Sequence, residues 1–362
     1  MKENQHYIHT FDALRGIASI LIFLNHCTFM NNASITGYVF EHLFHNGTFE
    51  VTFFFVLSGF CTERKYGQTF NKPIHPKACF SFAVSKAKKF YVLYVLTMIY
   101  VFLYNVLIYH ESLIKEGFFL LLSLSMLQTF TIKFDLILNS AAWFLSALII
   151  LYFLFPFLSK VLKRIKHSYF LIVCGLFYVG VNFISIRLLA LDIISYATYN
   201  SLTHTFPFYW IPAFFVGMLL AKLSSDNTFP QCDSKAEVTA ICFAASVYLL
   251  CLNIPGDVVT IFTHFFYVAS AAGVIYVFSQ EQGKISAFLM NSKFGVLGHY
   301  SLEIYLIHYP LIYFGGAALL SSIPDTNITI VIKTMILFCT TLILALLVKK
   351  IQLLAKSYRT KI

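Results

Sequence analysis

The chain is a succession of apolar runs, mostly of about 17 to 25 residues, the length of helix that crosses a hydrocarbon core, joined by short polar connections. The runs fall near 11–31, 47–61, 88–109, 117–132, 139–158, 168–190, 206–222, 236–253, 257–279, 299–320 and 328–348. Runs this long and apolar predict an all-α, polytopic integral membrane bundle.

The polar connections orient the bundle. Segment 62–89 carries Arg64, Lys65, Lys72, Lys77, Lys86, Lys88 and Lys89, and basic loops stay cytoplasmic. If 117–132 crossed, the next basic loop, with Lys160, Lys163, Arg164 and Lys166, would fall outside. Reading 117–132 as a re-entrant or interfacial segment removes the conflict and leaves about ten transmembrane helices with both termini cytoplasmic. Every Lys and Arg except Lys115, Lys133, Arg187 and Lys333 then lies on the cytoplasmic side.

Composition narrows the class. Of 362 residues, 59% are hydrophobic and only 12% charged, against the ~25% charged residues of soluble domains. No cleavable signal pattern precedes the first run, so residues 1–362 are expected to form a single membrane domain without a soluble extension. The net charge of +10 sits between apolar runs, which suits topology and argues against a nucleic-acid partner. The eight cysteines show neither CxxC pairs nor Cys/His ligand spacing, so no metal site, disulfide framework or bound cofactor is expected.

Candidate chemistry begins in the first run, FDALRGIASILIFLNHC. Arg15 and His26 are eleven residues apart, which on a helix is three turns plus about 20°, or about 16 Å along one stripe. Ionisable groups at membrane depth are costly and tend to persist where they pair, line a cavity or do chemistry. Read alone, Arg15 could be an interfacial anchor paired with Asp12, and His26 a packed structural group. The second run ends in FFFVLSGF, where Ser58-Gly59 would by themselves signal close helix packing.

Taken together, FDALRGIA with Arg15 and His26, FFFVLSGF, the Trp143-Phe144-Leu145-Ser146 segment, Phe214-Phe215-Val216-Gly217-Met218 and the Ser301 to His308 stretch SLEIYLIH resemble the membrane-bound acyltransferase family 3. Its O-antigen and exopolysaccharide acetylases modify surface glycans. The resemblance implies that Arg15 contacts the acyl donor, acetyl-CoA from the cytosol, as a co-substrate, with Ser58 on the same side. His26 becomes the candidate general base or transient acyl carrier, and His308 a further catalytic candidate. Lys86, Lys88 and Lys89 form a plausible site for the phosphates of coenzyme A, although lysines 86 and 89 stand where the family commonly has RxxR and lack its bidentate geometry. Glu50, Trp143, Glu303 and Tyr305 are acceptor-side candidates. Glu303 and His308 lie about 140° apart around a helix, so both cannot point straight at one ligand.

The expected function is transfer of an acetyl group from cytosolic acetyl-CoA to a hydroxyl of a cell-envelope polysaccharide, lipid-linked, in a bacterial inner membrane. A non-catalytic transporter or flippase, an accessory subunit of a glycan assembly complex, a lipid or peptidoglycan acceptor, and succinyl in place of acetyl are the alternatives. Paired inverted halves, which would favour a transporter, are not visible in the sequence.

Overall fold

A computed structural model describes residues 7–70, 75–164, 167–225, 231–254, 256–316 and 320–359. Lys72, Lys166 and Lys361, counted above among the cytoplasmic charges, lie outside the described residues. The chain is all-α: α1 (Thr10–Asn25), α2 (Ser34–Leu43), α3 (Thr48–Tyr66), α4 (Pro76–Ala87), α5 (Tyr91–Leu107), α6 (Leu113–Leu124), α7 (Trp143–Leu162), α8 (His167–Ala190), α9 (Tyr196–Asn200), α10 (Ile211–Ser225), α11 (Ser234–Asn253), α12 (Asp257–Phe278), α13 (Lys284–Asn291), α14 (Phe294–His299), α15 (Ser301–Leu311) and α16 (Asn327–Arg359).

Six helices among the described residues are long and apolar enough to cross a membrane, and a seventh results if α4 and α5, bent by 66° at their junction, count as one span. These span-length helices carry many exposed apolar side chains, as lipid contact requires, with Ile172, Leu176, Phe243 and Met335 as examples.

The helices that carry the sequence motifs depart from this regularity. The first run was expected to span 11–31, but α1 stops at Asn25 after 16 residues, about 24 Å, and a 3₁₀ turn and α2 follow. His26 therefore terminates a helix instead of sitting within one. The segment Asn25-His26-Cys27-Thr28 holds weak helix formers, and the freed His26 carbonyl accepts a hydrogen bond from the Tyr313 hydroxyl at 3.0 Å. Near the other end of the chain, the run at 299–320 is divided into α14, α15 and a π-turn at Ile312–Gly316. Pro310 within α15 lacks an N–H, so the Leu306 carbonyl has no intrahelical donor. Asn139 supplies one from its side-chain amide at 3.0 Å.

Segment 117–132 is met by α6, whose 12 residues reach about 18 Å and fall short of a span. The irregular chain that follows is satisfied by protein: Tyr94 donates to the Ser123 carbonyl, Gln128 to the Tyr94 hydroxyl, and Asn139 to Thr97. This is how non-helical backbone is tolerated away from water.

The most extensive helix pairing joins α3 to α10. It depends on glycine at two facing positions. A Cβ at Gly59 would run into the Phe214 carbonyl oxygen, and one at Gly217 into the Val56 carbonyl oxygen. Gly59 thus lets two backbones touch, while its neighbour Ser58 turns to the other side of α3 and faces a cavity. Around this seam, α1 packs on α14 and α15, α12 on α3, and α15 on α5 and α16.

Candidate active site

Successive turns of α3 present one stripe to the protein interior. Thr48 and Val51, near its start, line a cavity of about 220 Å³; Phe54, Ser58, Cys61 and Lys65, further along, line another of about 410 Å³. The two cavities therefore lie toward opposite ends of α3.

The larger cavity is basic. Arg15, Lys65, Lys86 and Lys89 reach it, with Ser58 and Tyr152 deeper among Phe54, Leu57 and Leu148. Arg15 is held by Asp12 at 3.0 Å, which is in turn a hydrogen-bond acceptor for Tyr7 at 2.7 Å, and its second nitrogen approaches the Cys61 sulfur at 3.3 Å. The Asp12 pairing considered from sequence is thus present, and it fixes a guanidinium that still lines the cavity. Lys86 is caged by aromatic rings, its ammonium lying 4.0 Å from the Tyr66 centroid, 4.9 Å from Phe82 and 5.2 Å from Tyr152. Lys86 is the penultimate residue of α4, in the basic connection ahead of the apolar run 88–109. Burial, then the like charges of Lys89 and Lys65, push its ammonium down to about 8. Lys88 ends α4, is exposed and does not line the cavity.

The smaller cavity is lined by Asn25, His26, His45, Trp143 and His204, with backbone from the Asn46-Gly47 turn. The His26 ring meets those of Tyr309 edge-on at 5.2 Å and His308 at 5.1 Å. His308 is fully buried. Its Nδ1 lies 3.0 Å from the Ile304 carbonyl oxygen, which can only accept, so Nδ1 carries the proton and Nε2 keeps its lone pair, with no partner. His308 stands behind His26 and lines neither cavity. The Trp143 ring meets that of His204 at 4.6 Å with the planes tilted by 50°, and His204 sits in a π-turn, Ser201–Thr205, anchored by two hydroxyls on Asp135 at 2.7 and 2.6 Å. Short π-turns of this kind recur at functional sites.

Tyr305 lines both cavities, and no other described residue does. Its hydroxyl donates to the Ala141 carbonyl and its ring packs edge-on against Phe144 at 5.5 Å.

Arg15, Ser58, Lys86 and Lys89 thus share the basic cavity, His26 and Trp143 share the other, and Tyr305 divides them. Besides Lys88 and His308, two further residues singled out in the sequence stand apart. Glu303 accepts from Lys349 of α16 at 2.9 Å and faces neither cavity. Glu50 is buried on another face of α3, within electrostatic reach of Tyr248 and Tyr267, with one carboxylate oxygen unpartnered. Sequence reasoning missed Tyr152, His45 and His204. Tyr152 was visible only as part of the Trp143 segment, and the π-turn that delivers His204 leaves no periodic signal.

Apolar helices enclose two cavities that lie toward opposite ends of α3 and share one lining side chain, with histidines in one and a cationic cluster in the other. That is the architecture of a multi-pass membrane protein. Residues 8–350 match the family described as an acyltransferase domain, and the chain belongs to acyltransferase family 3. No curated protein and no solved structure matches it.

Proposed function

We propose that the protein transfers an acetyl group from cytosolic acetyl-CoA to a hydroxyl of a lipid-linked cell-envelope polysaccharide, such as O-antigen, capsule or exopolysaccharide, across a bacterial inner membrane. The observation that carries this reading is the meeting of the two cavities at Tyr305. A basic cavity suits the phosphates of coenzyme A, and the loop charges assign that end to the cytoplasm. A cavity at the opposite end, walled by Trp143 and by the side chains of Asn25, His45 and His204, suits a sugar, which presents hydroxyls on its edges and C–H bonds on its faces.

In this reading the phosphates of the donor engage Lys86, Lys89 and Lys65, and the pantetheine arm runs past Arg15, Ser58 and Tyr152 toward Tyr305. The acceptor hydroxyl approaches His26, whose imidazole removes its proton. The oxygen attacks the thioester carbonyl carbon, the C–S bond breaks, and the coenzyme A thiolate leaves and is reprotonated. His308, whose ring packs against that of His26 at 5.1 Å with its Nε2 unpartnered, is a positioning residue that acts on His26 through this packing. Glu303, paired with Lys349, and Glu50, buried on another face of α3, touch neither cavity and take no part in this step.

The test is transfer by the purified protein in nanodiscs, from acetyl-CoA labelled in the acetyl group, to envelope glycan from cells lacking the gene. Label in the glycan, and the return of an acetyl ester by mass spectrometry, is expected. Unlabelled glycan, with label recovered in extracted lipid or peptidoglycan, would move the acceptor assignment.

A further inference from the structure

Two cavities that must exchange an acyl group in this reading have one lining side chain in common, Tyr305. Its placement is built rather than incidental. Tyr305 is 7% exposed, and its hydroxyl is tied to Ala141 in the middle of a 3₁₀ turn, Ser140–Ala142. That turn is fixed by Asn139, which bonds both Thr97 of α5 and the Leu306 carbonyl that Pro310 leaves free. Phe144 braces the ring from the side of the basic cavity, and Ala141 lies on the side of the His26 cavity. One phenol therefore stands at the junction, with a single hydrogen bond to a backbone carbonyl holding it there.

Water and substrate compete at such a junction. If the thioester waits in the basic cavity and the other cavity is hydrated from the opposite face, an open passage would allow hydrolysis: a water oxygen bonds to the acyl carbon, the C–S bond breaks, the sulfur takes the proton, and acetate and free coenzyme A result. The passage also limits what can move from one cavity to the other, because an acyl chain must occupy the space beside the ring.

We propose that Tyr305 is a movable septum that keeps the donor thioester from water in the acceptor cavity and restricts the transferred group to a short acyl chain. The proposal rests on the acyl-CoA reading above for its chemistry, whereas the septum itself can be tested without any donor. Cys61 supplies the reporter, since its thiol lines the basic cavity.

Right-side-out vesicles containing the full chain are treated from the outer face with a charged, membrane-impermeant thiol reagent, and labelling of the Cys61 peptide is read by mass spectrometry. Wild-type Cys61 should be protected. Tyr305→Ala should label about tenfold faster or more, whereas Tyr305→Phe, which keeps the ring, should remain protected. Tyr305→Leu serves in place of the alanine variant if that protein does not reach the membrane folded. In nanodiscs without acceptor, the opened variants should hydrolyse acetyl-CoA faster than wild type. With acceptor, their preference for acetyl-CoA over butyryl-CoA should fall by roughly tenfold.

Equal Cys61 labelling in wild type and opened variants overturns the septum. Faster labelling with unchanged hydrolysis and acyl preference, in a protein that turns over acetyl-CoA, overturns the water-excluding and size-limiting roles. Faster labelling in a protein whose wild type consumes no acetyl-CoA supports the septum and rejects the donor assignment instead.

Discussion

The rings of His26 and His308 lie 5.1 Å apart, brought together from the end of α1 and the middle of α15. Because His308 spends its Nδ1 proton on the Ile304 carbonyl, the nitrogen it has left is a lone pair. If His26 acts as base on the acceptor, His26→Ala should lower kcat by about 10²–10⁴-fold with little change in affinity for acetyl-CoA. His308→Ala should lower kcat less, by roughly tenfold, and should move the acidic limb of the pH–rate profile. A merely structural loss would reduce the rate alike at every pH. Transfer assays across pH, with folding checked by gel filtration, separate the two.

The aromatic cage around Lys86 gives the donor site its own pH dependence. Its ammonium titrates near 8, because burial and the neighbouring Lys89 and Lys65 disfavour the charged form. The charged fraction therefore falls as pH rises through 8, and phosphate binding, which favours the charge, moves that midpoint upward in the complex. The apparent KM for acetyl-CoA should rise by about three- to tenfold between about pH 7 and pH 9.5. Lys86→Arg, which stays charged, should flatten that rise, and Lys86→Met should show the higher KM throughout. A wild-type KM that stays flat over this range would remove Lys86 from the donor site.

Adjacent residues of α3 should give opposite phenotypes. Gly59 is packed against the Phe214 carbonyl oxygen, so Gly59→Ala must push α3 and α10 apart, at roughly 1–3 kcal/mol, seen as a lower midpoint of thermal unfolding in detergent. Ser58 faces the basic cavity, so Ser58→Ala should leave unfolding within about 0.5 kcal/mol of wild type and act on the KM for acetyl-CoA. If both variants shift the same observable, the division of this motif into a packing residue and a donor-facing residue is wrong.

These contrasts mark what a linear reading can reach. Six of the expected spans, from 139–158 through 257–279 and at 328–348, were legible because lipid demands long apolar helices whatever they pack against. Arg15 was legible as an ionisable group out of place in an apolar run, whereas Ser58 stood out only through the resemblance that FFFVLSGF carries. What the sequence concealed depends on contacts between distant segments. Tyr305 stood in the sequence as an acceptor-side candidate, and its place between the two cavities emerges only when Ala141 and Phe144 are seen beside it. His204 reaches its cavity through a π-turn, and Lys88 caps the end of α4 away from the cavity that Lys86 lines. His26 looked buried in a span because apolar residues continue beyond it, but that stretch forms a 3₁₀ turn and a second helix.

Glu303 poses the same problem in a form that energetics can resolve. It lies within the SLEIYLIH stretch, yet its carboxylate, 2% exposed, is paired with Lys349, whose side chain is 36% exposed. Removing the lysine strands a buried carboxylate, whereas neutralising the glutamate leaves an ammonium that can turn toward solvent. Lys349→Met should therefore destabilise the fold more than Glu303→Gln, by roughly 1–3 kcal/mol after allowing for the partial exposure of the pair. The double variant should recover part of that loss, because neither charge is then left alone. A residue contacting acceptor would behave otherwise: Glu303→Gln alone would raise the acceptor KM, and Lys349→Met would leave it unchanged. Thermal unfolding and acceptor KM measured across the three variants decide whether Glu303 fastens α15 against α16 or meets the glycan.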